Sequence, residues 1–254
     1  MQVDPCWLLR LLHLSEKTIS EIFPLCEVRT FQEGEVIEFG SSIFDRAPFL
    51  LQSGFVSSRH KNSNPSMTIA DIYGPKTLLG ESILFEDFQP QDYRCETTTR
   101  VLALPTKEML MAISKDRMFA NHLTKLAYWR YKLGQCNQNV SKTKDAFLRV
   151  VFLLSYFLLA LSQSHSYEED KHGIAIDGEL SVPINQSVLA THFDVSRTIF
   201  SQCLQKLEAK GLLYLGYGHI DFLELELWKN FYQTHRKNEL TNLELLEINV
   251  SHRP

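Results

Sequence analysis

Between Asn185 and Lys210 the chain reads NQSVLATHFDVSRTIFSQCLQKLEAK, two helical patterns interrupted only at Phe193-Asp194-Val195. Taking Gln186 as the first position, Leu189 is fourth, Ala190 fifth, Phe193 eighth, Val195 tenth, Phe200 fifteenth and Cys203 eighteenth. These are the places where two steeply crossing helices must bury side chains against each other. The fifth position has to be small, because the second helix passes over it, and Ala190 meets that demand. The ninth, Asp194, needs a left-handed backbone, which a short polar side chain tolerates by bonding locally. Asn185 and Ser196 each carry an oxygen suited to capping the helix that follows. Few packings satisfy all of these demands, and the pattern predicts a helix-turn-helix. Its second helix is expected to bury Ile199, Phe200, Cys203, Leu204 and Leu207. It is expected to expose Ser196, Arg197, Thr198, Ser201 and Gln202, with Gln205 and Lys206 behind them.

The flanks extend the motif. ELSVPI precedes it as a strand, and LLYLGYGHIDFLEL follows as a hairpin turning at Gly216 to Gly218. A polar stripe on a projecting helix suits the major groove of DNA. Arg197 pairs bidentately with guanine and Gln202 with adenine, which makes Arg197, Thr198 and Gln202 the candidate base contacts. Ser196, Ser201, Lys206 and Lys210 suit phosphates. The whole chain has a net charge of -4 and a pI near 6.1, which excludes a generally basic nucleic-acid binder. Residues 140–164 and 181–220 nevertheless hold six Lys and Arg against three Asp and Glu, so the basic footprint is local and modest salt sensitivity is expected.

The first hundred residues have a different grammar. FQEGEVIEFGSS, APFLLQSGFVSSRH, MTIADIYGPKTLLGESILF and RCETTTRVLALP alternate apolar and polar residues between Gly and Pro punctuation. Many short strands at such spacing predict an antiparallel jelly roll, with KNSNPS (61–66) as a hairpin tip. After Pro105, Thr106 is placed to cap a helix. Phe119, Leu123, Leu126, Arg130 and Leu133 then follow the 4-3-4-3 spacing of a coiled-coil seam, read as a dimerisation helix. SKTKD (141–145) reads as a hinge. AFLRVVFLLSYFLLAL (146–161) is too short, and interrupted by Arg149, to span a membrane, and is expected to be a buried helix. The fold class is therefore α+β. Residues 1–105 form a β-roll domain, 106–140 a dimerisation helix, and 141–254 a winged helix-turn-helix domain with a C-terminal tail.

Other classes are excluded by what the pattern lacks. Cys6, Cys26, Cys95, Cys136 and Cys203 are dispersed, with no paired spacing for a metal or redox centre. An odd, scattered set fits a reducing compartment, and the N-terminus MQVDPCWLLRLLHL does not read as a signal peptide, so a cytoplasmic location is expected. No nucleophile elbow, phosphate-cradling glycine loop or His-Glu-x-x-His occurs, and an enzyme is not expected. No cofactor or metal is expected either.

The order and spacing of FQEGEVIEFG, FLLQSGFV, GPKTLLGESILF and VLATHFDVSRTIFSQCLQKLEAKGLL resemble the CRP/FNR family of bacterial transcription regulators, over roughly residues 20–228. The resemblance implies a cyclic-nucleotide-binding-like β roll, a long dimer helix and a winged helix-turn-helix that binds a pseudo-palindromic operator as a homodimer. Where the family usually has Ser-Arg-Glu followed by Arg, this chain has Thr198 and Gln202 in place of the Glu and the second Arg, so a divergent operator is expected. An effector pocket would fall at Gly80, Glu81 and Arg94. Cys95 follows Arg94 where the family's nucleotide binders carry Ser, and Asp92 would repel a phosphate, so cAMP is not expected. Cys95 and Cys136 are candidates for a thiol switch. Double-stranded DNA and a second copy are the expected partners, with RNA polymerase and an unidentified small effector as candidates. The alternative is a ligand- or protein-binding module of the same fold that has lost DNA binding, with the apolar helix at 146–161 as its pocket or partner face.

Overall fold

Among the described residues, eight short strands between Glu27 and Ala103 pair antiparallel into two four-stranded sheets. They are β1 (Glu27–Phe31), β2 (Val36–Ile37), β3 (Phe49–Ser53), β4 (Val56–His60), β5 (Ile69–Tyr73), β6 (Leu78–Leu79), β7 (Gln91–Cys95) and β8 (Thr99–Ala103). One sheet has the order β1-β8-β3-β6 and the other β2-β7-β4-β5. The computed structural model describes residues 5–37, 47–60, 69–85, 91–140, 144–163, 180–223 and Trp228. The expected hairpin tip at 61–66, most of the acidic loop after residue 163 and nearly all of the tail lie outside them.

Alternation along the strands builds the inside of the roll. Ile37, Phe49, Leu51, Val56, Leu79, Tyr93, Cys95, Val101 and Ala103 form one buried cluster between the sheets. A second cluster packs helices on the first sheet. It joins α1 (Pro5–Arg10) and α2 (Glu16–Ile22) to α3 (Thr106–Lys115) and α4 (Arg117–Val140). Asp116 links these helices. Its Oδ2 accepts from Ser15 N at 2.8 Å and its Oδ1 from Phe119 N at 3.3 Å, capping the start of α4. Those bonds to the charged form hold the Asp116 carboxyl below its usual range, overcoming the opposing effect of burial. Helix α3 starts at Thr106 itself, with Pro105 in the cap position and no side-chain bond, which corrects the expectation that Thr106 caps it.

The coiled-coil reading of α4 needs a larger correction. Phe119 and Leu123 are fully buried in the protomer's own second cluster, and Leu126 packs against it. Arg130 turns inward to pair with Glu81. The first half of the stripe found by periodicity is therefore the face that holds α4 on the roll. The side chain of Leu133 lies outside the described residues. Met118, Tyr128 and Tyr131 occupy the outer face instead, at 62%, 60% and 61% exposure.

The second half is α5 (Ala146–Gln163), β9 (Leu180–Val182), α6 (Gln186–His192), α7 (Arg197–Glu208), β10 (Leu213–Gly216) and β11 (His219–Phe222). Residues 141–143 of the expected hinge lie outside the described residues. Asp145 at its end caps α5, accepting from Phe147 N at 2.8 Å. The apolar run of α5 is covered, as expected of a buried helix: Val150, Val151, Leu154, Leu158 and Leu161 all sit in the third cluster. No helix among the described residues is long and apolar enough to cross a membrane.

That third cluster crosses from one half to the other. It includes Phe55, Ile69 and Ile72 of the roll together with α5, both helices of the helix-turn-helix, the wing and Trp228. Gly74 permits the approach: a Cβ there would lie 2.5 Å from Leu161 Cδ2 and 3.1 Å from Phe55 Cε1. Helix α6 also packs on β5, the edge strand of the second sheet.

Candidate nucleic-acid interface

The turn between α6 and α7 has the backbone that the sequence pattern demands. Asp194 has φ +50, one of the few non-glycine residues in the left-handed region. Val195 N donates back to Ala190 O at 3.0 Å across the turn, where the small side chain of Ala190 leaves room. Asn185 Oδ1 accepts from Ser187 N at 2.9 Å and Ser196 Oγ from Ile199 N at 3.3 Å, so both expected caps are in place. Beneath them Phe193 meets Phe200 edge-on, with ring centroids 5.7 Å apart. Phe200, Cys203, Leu204 and Leu207 are buried with Leu189 and Ala190.

With that face committed to the core, the rest of α7 points out. Arg197, Thr198, Gln202, Gln205, Lys206 and Lys210 are exposed, and Ser201 is half-buried. At 100° per residue, Thr198, Gln202 and Gln205 lie opposite the buried stripe and Arg197 leaves from the first turn. All three candidate base-contacting residues are thus presented together on the projecting helix. Of the candidate phosphate contacts, the Ser196 hydroxyl is engaged as the cap. Lys206 Nζ lies 5.7 Å from the Phe147 ring centroid, a cation–π contact that holds its stem along α5. Ile199, expected in the core, is 39% exposed. It sits on the flank of α7, on the same side as Lys206.

The wing is fixed to α7. Glu208 Oε1 accepts from Leu215 N at 2.8 Å. β10 and β11 pair from Leu213–Phe222 to Gly216–His219, so the turn is Tyr217-Gly218, with Gly218 at φ +76. Tyr217 stands fully exposed at the tip and Tyr214 is 55% exposed. Sequence reasoning located this hairpin but missed its tyrosine. An aromatic residue between two turn glycines, where nothing can bury it, was the available signal. A phenol there offers a hydroxyl of the kind that bonds phosphate oxygens.

The roll interior does not assemble the expected effector pocket. Gly80 is buried with φ +71, a conformation that excludes most side chains, and Glu81 follows it. The Glu81 carboxylate is taken by Arg130, which also donates to the Leu78 carbonyl and stacks on Tyr73 at 5.2 Å. Arg94 is exposed. In β7 its neighbours Tyr93 and Cys95 point inward, and the strand's period of two sends Arg94 to the other face. Gly80, Glu81 and Arg94 therefore do not share a site. Tyr93 and Tyr73 occupy the interior, with ring centroids 5.9 Å apart. Burial pushes the Tyr93 hydroxyl up to about 12 and the Tyr73 hydroxyl higher still.

Cys95 is fully buried in the core of the roll, and burial raises its thiol. The side chain of Cys136 lies outside the described residues. Among the described residues no three His, Cys, Asp or Glu side chains gather as metal ligands.

No protein-family model matches the sequence, and no curated protein matches it. Solved structures do match in shape. FixK2 from Bradyrhizobium japonicum aligns with a TM-score of 0.59 at 15% identity, over 81% of this chain and 96% of its own. A CooA variant from Carboxydothermus hydrogenoformans gives 0.59 at 16% identity, over 89% and 95%. A transcriptional regulator of the CRP family from Thermus thermophilus gives 0.54 at 16%, over 81% and 96%. Identities this low speak for architecture alone, and the coverage of both chains is nearly complete. The two-sheet roll, the long helix α4 and the winged helix-turn-helix follow in the same order, and together they give this chain the fold of the CRP/FNR transcription regulators.

Proposed function

We propose that this chain is a sequence-specific DNA-binding transcription regulator that acts as a homodimer on a pseudo-palindromic site and does so without cAMP. The observation that carries the reading is the Asp194 turn, which projects α7 with Arg197, Thr198 and Gln202 exposed on one helix. Arg197 would read guanine and Gln202 adenine, with the Thr198 methyl placed for thymine. Ser196, Ser201, Lys206 and Lys210, joined by Tyr217 of the wing, would hold the phosphates.

The dimer would form through the outer face of α4. Tyr128 and Tyr131 are large, aromatic and mostly exposed, three residues apart on the outer face of the helix. A twofold axis along that face would set two α7 helices into successive major grooves, about 34 Å apart. Independence from cAMP is supported by the engagement of Glu81 with Arg130 and by the outward face of Arg94, which keeps that guanidinium out of the roll interior. Candidate further partners are RNA polymerase and a small effector of another chemistry. The rival reading, a binding module without DNA, drew on α5 as a partner face, and α5 is buried within the protomer.

Random-site selection with the purified full chain tests the proposal. Enrichment of an inverted repeat, weakened by about 1–3 kcal/mol in Arg197→Ala with the dimer intact, is expected. Enrichment of no sequence would sink the DNA reading.

A further inference from the structure

The two halves of the protomer are joined by more than apolar packing. β5 is an edge strand, so its outer backbone groups lack a strand partner. Helix α6 lies along that edge, and at its last residue His192 donates from Nδ1 to the Ile69 carbonyl at 3.3 Å. Two residues further along β5 stands Asp71, whose Oδ1 accepts from Ile72 N at 2.8 Å; burial raises its carboxyl, and the charges of His192 and Arg130 oppose that rise. Arg130 in turn is paired with Glu81 and stacked on Tyr73. A line of charged and polar groups therefore runs Glu81–Arg130–Asp71–His192, from the roll interior to the first helix of the helix-turn-helix. It ends on the element that positions α7, because Val195 N to Ala190 O and the Phe193–Phe200 contact make α6 and α7 one rigid body.

We propose that His192 and Asp71 form a latch that fastens the helix-turn-helix to the edge of β5, and that the latched arrangement is the one competent to bind DNA. Latching leaves Arg197, Thr198 and Gln202 exposed, so it does not occlude the reading face. It fixes the direction of α7 relative to α4, where the second copy would sit, and so removes orientational freedom that binding would otherwise have to suppress. Burial supports the assignment. It raises the Asp71 carboxyl and lowers the His192 imidazole, so each group depends on its protein partners for what water would otherwise supply. The latch stands on the His192–Ile69 bond and on the packing of α6 along β5; its consequence for affinity rests on the DNA-binding reading.

The experiment compares full-length wild type with His192→Phe, Asp71→Asn and the double variant. Hydrogen–deuterium exchange is followed over 69–73, 186–192 and, as an internal reference, 99–103 in β8. Each single variant is expected to speed exchange by about tenfold in the first two segments and to leave the reference unchanged. Each is also expected to weaken binding to the operator enriched by wild type by about tenfold, with no further loss in the double variant. Unchanged exchange at 69–73 and 186–192 would overturn the latch. So would equal acceleration in all three segments, or additive losses in the double variant. Faster local exchange with unchanged or tighter DNA binding would overturn the claim that the latched form is the competent one. If wild type enriches no operator, the DNA reading fails and the exchange data still decide the latch.

Discussion

The helix-turn-helix and the roll interior are both ordered around polar groups, but they are built at different ranges. In the first, the determinants of the turn itself lie between Asn185 and Lys210: two caps, one left-handed residue, one small residue and a stripe of apolar side chains. In the second, Arg130 reaches a carbonyl 52 residues earlier in the chain and a carboxylate beside it. The first region keeps its polar groups on the outside, where they remain available to a partner. The second spends them internally, on Glu81, Tyr73 and Asp71. A chain can thus retain a roll architecture while filling its interior with its own side chains, and still present a helix with an exposed polar face at the other end.

The strongest way to test this contrast is to break the apolar base of each region. Phe200→Ala should lower the unfolding free energy by about 3–5 kcal/mol, read by urea denaturation, because a fully buried ring leaves a cavity against Phe193. Tyr128→Ala on the outer face of α4 should leave protomer packing intact and weaken association, read by sedimentation. A loss of protomer stability from Tyr128→Ala equal to that from Phe200→Ala would mean that the outer face belongs to the core after all.

The polar interior comes next. Glu81→Gln removes the carboxylate paired with the Arg130 guanidinium, whose side chain is 19% exposed. A loss of about 2 kcal/mol is expected, less than for a fully buried pair because some solvent remains. Arg94→Gln should change stability by less than about 0.5 kcal/mol, as an exposed strand residue. Equal effects in the two variants would restore Arg94 to the same site as Glu81.

These pairs also mark what was legible in the sequence. Local demands were readable: Ala190 had to be small, Asp194 had to tolerate a positive φ, and the strands had to alternate. The partner of a face was not. Periodicity located the stripe Phe119–Leu123–Leu126–Arg130 but could not say whether a second copy or the chain's own roll would cover it. Arg130 was the available hint, since a charge in an apolar stripe asks for an internal countercharge, and Glu81 supplies it. Arg94 was placed one residue out of phase with the inward Tyr93, and in a strand one residue reverses the face. Ile199 was assigned to the core by hydrophobicity alone, although it lies off the buried stripe of α7.

A pH titration sharpens the contrast at the other end of the roll. His13 and His122 stack with ring centroids 4.8 Å apart. Burial, with the charges of His13 and Lys125, holds the His122 imidazole down to about 4. Unfolded histidine titrates near 6.5. Between those values the unfolded chain binds more protons, so the contribution of His122 is fully present above about pH 6.5 and is lost as pH falls toward 4. The slope is at most about 1.4 kcal/mol per pH unit, reduced by the residual solvent access of the ring. His122→Gln should flatten that slope in urea titrations at pH 5 and 6.5. An unchanged slope would place the acid sensitivity elsewhere.

The smallest expected effect tests the most local feature. Asp194 pays a steric cost at φ +50 that glycine would not, so Asp194→Gly should raise stability by about 0.5–1 kcal/mol. Asp194→Ala, which keeps the Cβ and loses the short polar side chain, should lower it by a similar amount. Neither should alter operator affinity, because the residue sets the direction of α7 through its backbone and stands outside the stripe of Thr198 and Gln202. Calorimetric melting of the three proteins reads the first effect and filter binding the second. If Asp194→Gly melts lower than wild type, the carboxylate holds something that the backbone conformation does not explain, and the helix-turn-helix would depend on a partner beyond its own segment, as the roll interior does. If it melts higher and binds equally well, the two regions differ as argued: one is specified by what each residue permits in its own backbone, the other by which distant residue answers it.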